Sequence, residues 1–202
     1  MSVKDFRDLL QNQLDKLDPN NPDHHAKIQR LNHYIHTYNN NYEENLRYFF
    51  DKYPYEDDII LLILRGHLLI ERQVKKFVMF HFANQEPLKR TKFETNHYIS
   101  LAEGFCTPHS PETLKFWACV RKLNKIRNDL SHQIEPKGLS DRIIDFIDYS
   151  WGFVELSGTN QSQNENLHDC IRSLHSKILY LASAQEHIYE NVITVAAKDL
   201  QP

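Results

Sequence analysis

Glycine is scarce, with 5 residues in 202, and none of them forms the closely spaced set that a phosphate-cradling loop needs. This argues against Gly-rich nucleotide folds, and neither a P-loop nor a GxGxxG motif occurs. Cysteine is almost as rare. The three residues Cys106, Cys119 and Cys170 are odd in number and widely spaced, so they make neither a disulfide framework nor a CxxC zinc site. Long apolar runs are missing too, and nothing approaches the roughly 18 residues that a membrane span requires. The opening MSVKDFRDLLQNQL is charged and amphipathic, unlike a signal peptide. An excess of positive charge is also absent. The 24 Lys and Arg against 27 Asp and Glu leave a net charge of -3, which excludes a globally basic nucleic-acid coat but not a local basic patch. Together these absences lead to the expectation of a soluble, cytoplasmic chain kept in a reducing compartment, with no membrane partner.

What is present is helical periodicity. The apolar fraction of 41% is enough for a core. Residues Val3 to Leu17 carry Phe6, Leu9, Leu10, Leu14 and Leu17 on one stripe. DPNNPD breaks that helix, and a second is expected from Pro22 or Asp23 to Tyr53, weakened at Asn39 to Asn41. The most apolar segment, Glu56 to Phe82, predicts a central helix, and Gly66 inside it points to close packing of another helix there. NQEPLKRT reads as a loop. Helices are expected over Phe93 to Phe105 with Gly104 as the C-cap, and over Pro111 to Ile134 with Ser110 as the N-cap. A further helix runs from Leu139 to Leu156, SGTNQSQNEN reads as a polar bend, and a last helix runs from Leu167 to Ala197. No strand pattern, internal repeat or long heptad run is found. The fold class expected is all-α, a helical bundle over residues 55–202 with a helical extension over residues 1–54.

One stretch carries chemistry. LNKIRNDLSHQIEP, residues 123–136, sets Arg127, Asn128 and His132 at the end of a helix otherwise patterned for burial, just before a Pro-Gly stop. With 10 Arg and 12 His in the chain, roughly 0.6 Arg-to-His pairs at a given offset are expected by chance, and requiring Asn after the Arg reduces this to roughly 0.05. The segment resembles the HEPN superfamily, all-helical domains whose signature is an Arg, four to six residues, then His, often with a polar residue after the Arg. RGHLLIER, residues 65–72, looks like the early core helix of these proteins, which often carries an acid, here Glu71. The order of a long apolar helix, a short helix and the motif helix agrees as well. The resemblance covers roughly residues 55–195. HQIEPKG has no Tyr after the His, which argues against the toxin subgroup with Tyr-directed antitoxin chemistry.

The resemblance implies metal-independent RNA cleavage in a homodimer, with two motif helices facing each other and their Arg and His forming a composite site. It also implies toxin–antitoxin or anti-phage roles, with an antitoxin or regulatory protein as a candidate partner. No cofactor and no metal are implied. The chemistry suits the residue types. RNA supplies its own 2′-OH nucleophile, and His132 serves as general base or acid because imidazole exchanges protons near neutrality. Arg127 holds the phosphate and its developing charge. Asn128 supports by orienting His132 or binding phosphate oxygen, and Glu71 is a weaker supporting candidate that would pair with Arg127 across the bundle. Cleavage would leave a 2′,3′-cyclic phosphate and a 5′-OH. Asn128 and His132 share a helix face, whereas Arg127 and His132 lie about 140° apart, so a distorted last turn or a partner subunit is needed to join them. The alternative is a non-catalytic HEPN-like module that binds nucleic acid, nucleotide or a protein in regulation.

Lys115, Arg121, Lys122 and Lys125 form a basic stripe leading to the motif with no acid between them, a candidate RNA-binding face and equally an ordinary solvated one. His24 with His25, and His33 with His36, invite a metal reading, but no Cys or carboxylate cluster completes either set. Cys119, in a Trp-Ala-Cys-Val run, reads as a small buried hydrophobe.

Overall fold

A computed structural model gives the structure of the chain and describes residues 11–53, 57–106, 111–133, 136–150 and 161–199. Among these residues the regular structure is entirely helical, so the fold class is all-α. A helical turn at residues 11–14 (α1) is followed by α2 (Pro22–Lys52), α3 (Ile59–Phe80), α4 (Glu86–Arg90), α5 (Thr95–Phe105), α6 (Pro111–His132), α7 (Leu139–Ser150) and α8 (Gln163–Asp199). No helix among the described residues is long and apolar enough to cross a membrane. The expected helix over residues 3–10, the Ser110 cap and the continuation of α7 through Leu156 lie outside the described residues.

The chain divides into two compact units, one of residues 1–48 with 179–202 and one of residues 49–178. In the first, Leu31 and Tyr180 are buried and Leu14, Leu17, Ile35 and Leu181 pack on them. The turn before α2 is held by its own side chains: the Asp18 carboxylate accepts from the Asn20 backbone N–H at 2.9 Å, and the Asp18 N–H donates to His24 Nδ1 at 3.1 Å. His25 Nε2 bonds Pro19 O at 2.9 Å, so both histidines serve the turn.

The second unit holds the larger core, with Trp117, Phe49, Tyr53, Phe77, Phe116 and Phe146 fully buried. In it α3 packs on α5 and α6, α5 packs on α6, and α6 packs on α7. Asp58 caps α3, accepting from the N–H groups of Ile60 at 2.9 Å and Leu61 at 3.2 Å, which satisfies two of the free donors of its first turn. The end of α3 is closed by His81, whose Nδ1 bonds Phe77 O at 2.8 Å, and by Gln85, whose Nε2 donates to Met79 O at 3.0 Å. Gly66 faces Ile171 of α8. A Cβ there would stand 2.7 Å from Ile171 Cγ2, 2.9 Å from Ile171 Cδ1 and 3.1 Å from the Tyr53 hydroxyl, as the expected close approach requires.

Several boundaries differ from the sequence reading. α2 runs unbroken through Asn39 to Asn41, because weak propensity over three residues loses to a helix already nucleated on both sides. NQEPLKRT contains the short α4, with Pro87 in its first turn and Lys89 paired to Glu86 at 2.7 Å. Gly104 is not the cap of α5; the helix continues through Phe105 and Cys106 caps it. α8 starts inside the expected polar bend, because Ser162 and Glu165 form a capping box: the Ser162 N–H donates to Glu165 Oε2 at 2.7 Å and the Glu165 N–H to Ser162 Oγ at 3.3 Å. Past α6 the chain turns through Gly138, whose positive φ of 69° is the left-handed region that suits glycine. Arg142 of α7 then reaches back, donating to the Asp129 carboxylate of α6 and to the Lys137 carbonyl.

Candidate active site

The motif lies on the last turns of α6, a helix whose other face is fixed by the core. Phe116, Trp117, Val120, Leu123 and Ile126 are buried, so Arg121, Lys125, Asn128 and His132 fall on the remaining surface at helical spacing. Asn124 is the exception, a polar residue buried within this pattern. It is satisfied from both sides. His67 of α3, buried in the centre of that helix, bonds Asn124 Oδ1 through Nε2 at 2.8 Å, and Asn124 Nδ2 donates to Asn96 Oδ1 of α5 at 2.8 Å. With the Asn124 nitrogen turned to Asn96, its oxygen faces His67, an arrangement that goes with the Nε2–H tautomer of the imidazole. Three helices are thus pinned together by one polar chain, which a low-dielectric interior makes costly to break.

Electrostatics around this chain are set by burial first. Burial lowers the His67 pKa from its ordinary value; Asn124 and Glu71 oppose the shift, while Arg127 and Lys75 add to it. His67 is accordingly neutral at pH 7. Its Nδ1 has no hydrogen-bond partner and stands 3.9 Å from Glu71 Oε2. Burial alone would raise the Glu71 carboxyl, but the hydrogen bond and charge of Lys75, at 2.6 Å, together with Thr95, hold it below its ordinary value.

The sequence-predicted residues are distributed as follows. Arg127 is half-buried and its Nη1 donates to Asn128 Oδ1 at 3.1 Å. Its charge reaches His67, but it forms no ion pair with Glu71, whose cation is Lys75. Asn128 therefore orients Arg127 rather than His132. His132 is exposed in the final turn and makes no hydrogen bond or ion pair among the described residues. Arg127 and His132 are not brought into contact within the chain, as the helical angle between them requires. In the basic stripe, Arg121 is ion-paired with Glu103 and Lys122 with Asp145. Lys115 and Lys122 both lie over the Tyr149 ring, at 5.4 and 4.8 Å. Lys125 is exposed and has no ion pair among the described residues.

Between α5 and α6 lies a cleft of about 480 Å³ lined by Asn96, Ser100, Arg121, Asn124, Lys125 and Asn128. Its floor is the end of the buried polar chain, and its far end meets Arg127 through Asn128. His67, Asn96 and Asn124 were missed in the sequence, although His67 and Asn124 left a signal: each is a polar residue standing where the helical period places core.

Other reactive side chains are occupied by packing. Cys106, Cys119 and Cys170 are free thiols in the core, and burial pushes them up, to about 11 for Cys106 and about 12 for the other two. Cys119 Sγ lies 2.9 Å from Ser150 Oγ. His168 stacks on Tyr53 at 4.8 Å and His175 on Phe49 at 4.2 Å. Among the described residues no group of three or more His, Cys, Asp or Glu side chains is placed to hold a metal ion.

No family model, curated protein or solved structure matches this chain.

Proposed function

We propose that the protein is a metal-independent endoribonuclease of the HEPN type, acting as a homodimer on RNA in the cytoplasm, in a toxin or anti-phage setting. The observation that carries this reading is the meeting of a half-buried, amide-held guanidinium, Arg127, with a polar cation-bearing cleft on the helix that also exposes His132. Arg127 holds the scissile phosphate and stabilises the charge that develops on it. His132 takes the 2′-OH proton or protonates the leaving 5′-oxygen. Since the two side chains do not meet within one chain, the reading requires a second copy that sets its own His132 and Arg127 opposite the first.

The test is incubation of wild type, His132→Ala and Arg127→Ala with total RNA in EDTA, followed by mapping of the new ends. The expected result is cleavage by wild type alone, leaving cyclic phosphate ends, while both variants remain folded. Cleavage retained by both variants would overturn the assignment.

One observation favours a second reading, a non-catalytic RNA- or partner-binding module used in regulation. Nothing among the described residues orients His132, whereas a catalytic imidazole is ordinarily held by a second group. That reading expects RNA binding without products from any variant.

A further inference from the structure

The cleft between α5 and α6 contains three carboxamides, and the direction each one faces decides what it binds. Every amide oxygen is turned onto an internal donor. Asn124 Oδ1 takes the His67 Nε2 proton, Asn96 Oδ1 takes Asn124 Nδ2, and Asn128 Oδ1 takes Arg127 Nη1. What remains for a ligand is donors: Asn96 Nδ2 and Asn128 Nδ2, which make no bond among the described residues, with the Ser100 hydroxyl. The Lys125 ammonium, unpaired among the described residues, adds positive charge, and the Arg121 guanidinium lines the cleft with its charge offset by Glu103. No carboxylate lines the cleft. A surface of N–H donors and cations with its acceptors withdrawn is complementary to an oxyanion with several acceptor oxygens. It is a poor match for a base edge, which alternates donors and acceptors. The Asn124 orientation goes with the Nε2–H tautomer of His67, and Asn128 is oriented separately by Arg127.

We propose that this cleft is a phosphate site that takes a backbone phosphodiester of single-stranded RNA next to the one held by Arg127. The proposal rests on the RNA reading above and gives it a second phosphate contact. The volume of about 480 Å³ exceeds what one phosphate fills and leaves room for the attached sugar. Asn96, Ser100 and Lys125 are exposed, so a continuous strand can enter and leave. The Asn128–Arg127 bond joins the two phosphate positions through one side chain. His67 is a positioning residue here, acting through Asn124 and Asn96 and touching no ligand.

The test uses Asn96→Asp and Asn128→Asp. Asn96→Asp keeps the inward-facing oxygen and its bond from Asn124 and replaces the outward N–H₂ by an anionic oxygen; Asn128→Asp does the same but also sets an anion against Arg127, so Asn96→Asp carries the assignment to the cleft. Asn84→Asp carries the same charge change on the loop after α3, where Asn84 Oδ1 accepts from the Glu86 N–H at 3.1 Å, outside the cleft. Anisotropy of a labelled single-stranded RNA, titrated over a range of salt in EDTA, is measured beside cleavage of the same RNA by unmutated protein. Both cleft variants are expected to weaken binding about tenfold beyond Asn84→Asp, and Lys125→Ala to reduce the salt slope by about 0.7. If the cleft variants match Asn84→Asp while wild type binds and cuts, the phosphate site falls and the nuclease reading stands. If they lose binding but wild type makes no product, the site stands and the nuclease reading falls. A wild type that does not bind RNA overturns both. Displacement of the RNA by low concentrations of adenosine 5′-monophosphate would move the phosphate source to a free nucleotide and overturn the RNA assignment.

Discussion

Adding one methyl group at Gly66 sets two effects against each other. Alanine is the better helix former, by about 1 kcal/mol in a helix interior. The new Cβ would stand 2.7 and 2.9 Å from two carbons of Ile171 and 3.1 Å from the Tyr53 hydroxyl. Carbons do not approach that closely, and neither neighbour can give way easily. Ile171 is 0% exposed and Tyr53 is 1% exposed, and a β-branched side chain has one strongly preferred rotamer in a helix. Overpacking of this kind costs about 1–3 kcal/mol, and with contacts this short and neighbours this buried the upper part of that range applies, so the expected balance is a net loss of up to about 2 kcal/mol. For a chain of this size that lowers the melting temperature by about 2–4 °C per kcal/mol. Thermal melts followed by circular dichroism, with urea titrations for ΔG, read the loss. A second arm assigns its cause. Ile171→Ala removes both crowding carbons and by itself costs about 2–5 kcal/mol. In that background Gly66→Ala becomes neutral or stabilising, and the cycle returns a coupling of about 1–3 kcal/mol. A Gly66→Ala protein more stable than wild type, or an unchanged loss in the Ile171→Ala background, would refute the contact as its origin.

His175 gives a pH dependence. Its burial, with Arg72 and Lys76 adding to the effect, lowers its pKa to about 3, so below its unfolded value of about 6.5 only the unfolded chain takes the proton. Its contribution is fully present above that pH and lost as pH falls, by about 2 kcal/mol at pH 5; urea titrations of His175→Leu at pH 7 and pH 5 are expected to show a clearly smaller difference than wild type, and an equal difference would refute this. The raised thiols of Cys106, Cys119 and Cys170 predict that the native protein resists iodoacetamide at pH 8 and reacts fully in guanidinium. Rapid labelling of the native state, read by mass spectrometry, would contradict their burial.

The long elements were legible because their signals are local. The apolar run of α3, the Pro before α2 and the Gly-Pro punctuation around Gly138 each act on the few residues beside them. Even the close approach at Gly66 could be inferred, since a glycine in a strong helix pattern calls for a neighbour. The misplaced boundaries turned on choices between local signals. Ser162 and Glu165 do spell a capping box, but the surrounding Asn and Gln read as a bend. Gly104 stands near a helix end, as a cap glycine would, but Cys106 takes the cap position. In the candidate site, Arg127, Asn128 and His132 stand out by spacing, and the structure sets them on the last turns of α6 with Arg127 bonded to Asn128. The polar chain that gives the cleft its direction was not legible, because His67 and Asn124 are 57 residues apart and Asn124 and Asn96 are 28 apart. No periodicity argument pairs residues across such distances; only the packing of α3, α5 and α6 does.

The clamp from Arg142 to Asp129 has a bearing on charge as well as on the chain reversal. Asp129 lies inside the motif, between Arg127 and His132, where a bare carboxylate would repel any polyanion drawn to this end of α6. By holding that carboxylate, Arg142 screens it from outside. The helix that follows the motif thereby shapes the field around it without belonging to the cleft. Positions 129 and 142 form an electrostatic couple: a change at either alone shifts the charge the motif presents by one unit, and a change at both together leaves it as it was.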